Sequence, residues 1–151
     1  MFLETQFAKY TNEDIGKLIL RISTAGLMLF HGFQKYTGGI AEIKELVVSS
    51  GLPEIVAYGS YLGELIIPFF LILGVFTRTS ALIFGTTMVF ALFLVHSDML
   101  LAIDPESGGL MIELPLLYLF SSLALFFLGA GKYSLDARIS QCGCLCKKTS
   151  N

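Results

Sequence analysis

Cysteine is almost missing from this chain: of 151 residues only Cys142, Cys144 and Cys146 carry a thiol, all within the last ten positions. A membrane-crossing dithiol relay carried by this chain alone is therefore excluded. Three thiolates without a fourth ligand also make an incomplete metal site, so the tail reads as a reduced surface segment. Charge is scarce as well. Only 15% of residues are Asp, Glu, Lys or Arg and the formal net charge is −2, too small and too dispersed to attract nucleic acid. No stretch between apolar runs is long enough for a separate soluble domain. The first apolar run lacks a small-residue cleavage pattern and continues as Phe33-Gln34-Lys35-Tyr36, so it is expected to stay attached and not to be removed as a signal segment.

What the chain has instead is apolar length. Hydrophobic residues make up 54% of it, concentrated in four runs: Ile15 to Phe33, Ile55 to Phe76, Thr79 to Val95 and Leu110 to Leu128. Each matches the roughly 17 to 25 residues that a spanning helix requires, and lipid leaves backbone groups no partner outside a helix. The expected fold is an all-α integral membrane protein with four transmembrane helices in an antiparallel bundle, residues 1–138, followed by a Cys-rich tail, 139–151. In the first outer loop Ile40, Ile43, Leu46 and Val47 recur at helical spacing opposite Glu42, Lys44 and Glu45, which predicts a short interfacial helix ending at Ser49-Ser50-Gly51. Asn12, Glu13 and Asp14 are expected to cap helix one.

Cations are distributed unevenly. Lys9, Lys17, Arg21, Arg78, Lys132, Arg138, Lys147 and Lys148 fall at one end of the runs, and Lys35 and Lys44 at the other. The positive-inside rule then puts both termini in the cytoplasm of a bacterial-type inner membrane. Arg78, at the turn between spans two and three, reads as a topology and headgroup anchor.

Ionisable residues inside such runs are costly, about 2.5 to 3.5 kcal/mol each even on the lenient insertion scale, so they are expected to face the bundle interior. On helix one, Arg21, Thr24, Met28, His31 and Lys35 share one stripe. On helix two, Gly59 and Gly63 form a small-xxx-small pair beside Glu64. Pro68 has no N–H to give to the Glu64 carbonyl, so a free backbone acceptor coincides with the acid. Arg21 and Glu64 lie within about 6 Å in depth at 1.5 Å per residue, which predicts an ion pair, structural or ligand-contacting. His31, Lys35, His96, Asp98 and Glu113 gather at the outer level. A haem between the two histidines, or a divalent metal with the acids, is a weaker alternative, since no metal-spacing motif supports either.

These residues resemble the DoxX family of small four-helix membrane proteins. The similarity rests on Leu20-Arg21 with Gly26, His31-Gly32-Phe33-Gln34-Lys35, Gly51-Leu52-Pro53, Glu64, Gly74 followed by Arg78, and Gly129-Ala130-Gly131-Lys132-Tyr133-Ser134-Leu135-Asp136. The resemblance implies a part in membrane oxidoreductase systems, with Arg21, His31, Lys35, Glu64 and Arg78 as the positions carried over. With no flavin, iron–sulfur or disulfide centre visible, electrons would come from a bound quinone, a haem or a soluble redox partner subunit. The expectation is a quinone or similar small ligand between helices one, two and four, with Glu64 and His31 catalytic and Arg21, Lys35, His96 and Glu113 binding. The alternative is a non-enzymatic membrane assembly partner or a proton-linked small-solute transporter; the partners to expect are the lipid bilayer, a soluble redox subunit and further copies of the chain in a homo-oligomer.

Overall fold

In a computed structural model, residues 12–95, 102–103, 105 and 108–140 are described. Helix α1 is Glu13–Gly38, α2 is Ala41–Ser49, α3 is Glu54–Leu73, α4 is Thr77–Val95 and α5 is Glu113–Leu128. The chain is helical again over 135–140. Among the described residues the only extended pairing is an isolated antiparallel bridge between Ile103 and Leu110. Two helices, α3 and the 77–94 part of α4, are long and apolar enough to cross a membrane. Helix α5 is apolar but has 16 residues, and α1 carries charge at both ends.

Sequence explains the helix ends. The Asn12 side chain accepts from the Asp14 N–H at 2.9 Å and caps α1. Helices α2 and α3 both stop at glycines with positive φ, Gly51 and Gly74. At the second, the Gly74 N–H donates to Leu71 O and the Val75 N–H to Phe70 O, which satisfies the last carbonyls in a Schellman arrangement. Predicted run boundaries shift accordingly: α1 continues five residues past Phe33 to Gly38, and α3 ends before the turn that the apolar run had absorbed.

Helix α3 is not uniform. It opens as a 3-10 turn over Glu54–Tyr58, is α-helical at Gly59–Tyr61, widens to a π turn over Leu62–Ile66 and returns to α over Ile67–Leu73. The π register has a chemical cause. Pro68 cannot donate to the carbonyl four residues back, so the ladder re-forms one residue wider, with the Ile67 N–H reaching Leu62 O.

The core runs between α1, α3, α4 and α5 through Ala25, Leu71, Phe84, Met88, Tyr118 and Leu125. Glycines set the closest approaches. A Cβ added at Gly63 would collide with the Thr87 side chain on α4, and one at Gly85 would lie 2.5 Å from Ser122 Oγ on α5. Gly59 meets nothing within 4 Å, so the predicted Gly59/Gly63 pair acts through Gly63 alone. The outer surface is apolar to a degree that water would not tolerate: Phe30, Phe93 and Phe127 are each more than 70% exposed.

Candidate functional site

Two polar clusters occupy opposite ends of α1, and they separate the residues that sequence reasoning had joined. At the N-terminal end Arg21 is buried, and its guanidinium donates from Nη1 to Ala130 O and from Nη2 to Tyr133 O, both at 2.6 Å. It packs on the α3–α4 turn, where a Cβ at Gly74 would lie 2.7 Å from Nη1. The segment after α5 completes this end. Asp136 accepts from the Phe76 and Thr77 N–H groups at 2.8 Å and caps α4, while its own N–H donates to Gly74 O. Phe76 holds a left-handed φ of 47°, a conformation that this carboxylate secures. Asp14 accepts from the Lys132 N–H at 3.1 Å, with the Lys132 ammonium at 3.4 Å. The expected Arg21–Glu64 ion pair is therefore not formed. Arg21 sits level with position 74, ten residues along α3 from Glu64, or about 15 Å at 1.5 Å per residue.

At the other end Glu64 meets Lys35. The Lys35 ammonium lies 2.5 Å from Glu64 Oε1, and the two side chains are 35% and 7% exposed. Local sequence builds this pair. Because residue 32 is glycine, α1 lies directly against the Glu64 backbone; a Cβ there would clash with the Glu64 carbonyl. One turn later Lys35 reaches the carboxylate. Gly63 lets Thr87 approach from the other side. The π turn carries Glu64 itself, and such bulges often mark functional positions. Glu64 Oε2 is buried with no hydrogen-bond partner, which is unusual for a carboxylate.

Lys35 and Glu64 form part of the wall of a cavity of about 470 Å³, whose remaining lining is largely apolar. Helix α2 contributes Ile43, Leu46 and Val47, and α4 contributes Ile83, Phe90 and Leu94. The amphipathic helix foreseen from sequence thus packs its apolar face on protein: Val47 is buried with Ala57, beside Leu94. Lys44 straps it down, with an ion pair to Glu54 at 2.8 Å, a hydrogen bond to Tyr58 Oη at 2.9 Å and its ammonium 4.7 Å from the Tyr58 ring centre. The Glu54 carboxylate first, then the Tyr58 hydroxyl, pushes the Lys44 pKa above its usual value.

The other sequence-selected residues lie elsewhere. His31 is exposed and turns toward α5, edge-on to Tyr118 with ring centres 6.3 Å apart. Glu113 is exposed in the first turn of α5, where a carboxylate suits the helix N-terminus. Neither lines the cavity, and α5 contributes no wall to it. Arg78 is exposed and passes Gly129, its guanidinium 3.4 Å from where a Cβ would be. His96 and Asp98 lie outside the described residues. Among the described residues no three His, Cys, Asp or Glu side chains converge. Sequence reasoning missed the share of α2 in the wall and the capping role of Asp136. The apolar face of α2 was visible, but not what it would cover.

The DoxX family model matches residues 16–97, the part of the chain that holds the Lys35–Glu64 pair and every wall of the cavity. This chain belongs to the DoxX family. Two Haemophilus influenzae proteins, both described as uncharacterized, are each 35% identical to it. One aligns over 135 residues, covering 84% of this chain and 85% of the relative, and the other over 127 residues, covering 78% and 85%. No solved structure gives a significant match. DoxX is a membrane family, and the apolar girdle of this member agrees with a bilayer environment.

Proposed function

We propose that this chain is a four-span membrane subunit of an oxidoreductase system, and that the cavity between α2, α3 and α4 receives a quinone-type ring with its apolar chain. One observation carries the reading. An acid–base pair, buried Glu64 with half-buried Lys35, stands on the wall of a largely apolar cavity of about 470 Å³, within the roughly 300 to 1,000 Å³ of small-molecule sites. An apolar pocket with a few convergent polar groups fits such a ligand: the apolar walls take ring and chain, Lys35 can donate to a ring oxygen, and Glu64 can accept a proton. Electrons are supplied by a soluble redox partner subunit, as the family resemblance implies.

The arrangement in the membrane follows from charge. Lys17, Arg21, Arg78 and Lys132 gather at one end of the bundle and Lys35 and Lys44 at the other, which supports cytoplasmic termini in a bacterial-type inner membrane. The cavity then opens in the outer half. The 26 residues of α1 are long enough to cross at 1.5 Å per residue, and its end charges reach the headgroups or the buried pair.

Mass spectrometry of the lipid extract from purified protein tests the proposal. Quinone is expected to co-purify with the wild type and with His31→Ala, and to be lost from Lys35→Met preparations that remain monodisperse. A folded wild-type protein that carries no quinone and binds no added short-chain quinone would overturn it.

A further inference from the structure

The hydrogen-bonding inventory of the cavity wall is lopsided, and the imbalance bears on which form of a ligand it accepts. Three hydroxyls line the cavity, Ser60, Thr86 and Thr87. Each has one proton, and each spends it on its own helix: Ser60 Oγ donates to Ala57 O at 2.8 Å, Thr86 Oγ1 to Leu82 O at 2.9 Å and Thr87 Oγ1 to Ile83 O at 3.1 Å. They offer only lone pairs to a guest. The remaining polar side chains are the Lys35 ammonium, a donor already directed at Glu64 Oε1, and the Glu64 carboxylate, whose Oε2 is buried without a donor. A ring carbonyl can accept from Lys35 but has no proton to give to Oε2, which would stay unpaired. A hydroxyl can accept from Lys35 and donate to Oε2 at once, after a χ3 rotation of the carboxylate, a soft torsion.

We propose, resting on the quinone-site reading, that the cavity selects a hydroxyl-bearing ligand: it binds the hydroquinone form, or another phenol on an apolar chain, in preference to the oxidised dicarbonyl form. The discrimination is of the kind seen where a buried polar group is left unpaired by the wrong ligand, which costs far more than a missing methylene. Lys35, about a third exposed, is the rim of the site, and the carboxylate is its inner contact.

Three probes of one shape separate the cases: a decyl-substituted benzohydroquinone, the matching benzoquinone, and the dimethyl ether of the hydroquinone, which keeps the ring oxygens and removes both donors. Binding to the purified full chain in nanodiscs would be measured anaerobically by isothermal titration. The hydroquinone is expected to bind at least about tenfold tighter than either of the others, the value of a hydrogen bond to a charged group. In Glu64→Gln the amide can present either a donor or an acceptor, so the preference is expected to shrink to about threefold or less. Should that variant not fold, the ether comparison on the wild type decides alone. Equal wild-type binding of all three probes would overturn the selectivity while leaving the cavity a quinone site, whereas no binding by any of them would overturn both.

Discussion

Replacing Lys35 by Met keeps an unbranched side chain, one atom shorter, and removes its charge, and the cost depends on how unevenly the pair is buried. The Glu64 side chain is 7% exposed and that of Lys35 35%. Without Lys35 the carboxylate loses its partner on Oε1, and Oε2 already has none. Breaking a buried pair costs about 3 to 5 kcal/mol, and water reaching the rim where Lys35 stood puts this case near about 3 kcal/mol. Glu64→Gln strands only an ammonium that can turn toward solvent, at about 1 kcal/mol. The double variant leaves no buried charge, so its loss is expected near about 2 kcal/mol and the coupling is about 2 kcal/mol. SDS-induced unfolding in micelles, followed by far-ultraviolet circular dichroism, gives all four corners of the cycle. Lys17→Met serves as a control: its partner Glu13 is 92% exposed and 3.8 Å away, so a loss of only about 0.3 to 0.5 kcal/mol is expected. Single losses that add to within about 0.5 kcal/mol of the double would refute the pairing argument.

Arg21→Ala combined with Glu64→Gln should, by contrast, give additive losses in the same assay, because Arg21 is bonded to Ala130 and Tyr133 at the far end of the bundle; a coupling above about 1 kcal/mol would mean that the two residues do meet. Gly32→Ala should destabilise by about 1 to 3 kcal/mol and weaken ligand binding, since the new Cβ would lie 2.8 Å from the Glu64 carbonyl carbon, while Gly26→Ala, with nothing within 4 Å, should be neutral or slightly stabilising. Equal melting temperatures for the two alanine variants would contradict the close α1–α3 approach. The Asp14 carboxyl is held below its usual value of 3.8, first by the Lys132 backbone N–H and then by the Lys132 ammonium. A lowered carboxyl contributes stability that is fully present above its unfolded-state value and lost as pH falls through the folded one. Protection of the Lys132 amide in hydrogen exchange should therefore persist to about pH 4 and fade only in stronger acid; loss already at about pH 6 would exclude this contact as the cause.

Apolar patterning was legible over most of the chain because period and length are local properties. The run starting at Ile55 marked α3, Ile40 to Val47 marked α2, and Asn12 marked the first cap. Register between helices was not legible. Arg21 and Glu64 were paired by counting depth from the ends of apolar runs, yet α1 continues to Gly38 and Gly32, not Arg21, is the residue level with Glu64. Alternating three- and four-residue spacing likewise puts His31 on the stripe of Met28 and Lys35. The face that is buried instead drifts through Ala25, Met28 and Gly32, which turns the imidazole toward Tyr118. The effect of Pro68 on the Glu64 carbonyl was readable in outline, but not that the ladder re-forms one residue wider as a π turn.

The bonds of Arg21 also have a place in time. Its two acceptors, Ala130 and Tyr133, stand 109 and 112 residues further along the chain. At roughly 5 to 20 residues per second of synthesis, the guanidinium exists for some 5 to 20 seconds before those carbonyls emerge. During that interval a nascent hairpin of α1 and α3 carries a cation whose partners have not been made, and the α3–α4 turn lacks the carboxylate of Asp136. The last described stretch therefore works as a clasp that closes a bundle begun by its first helix. A chain ending shortly after α5 would leave that clasp open, with the Arg21 guanidinium and the N–H groups of Phe76 and Thr77 without their partners.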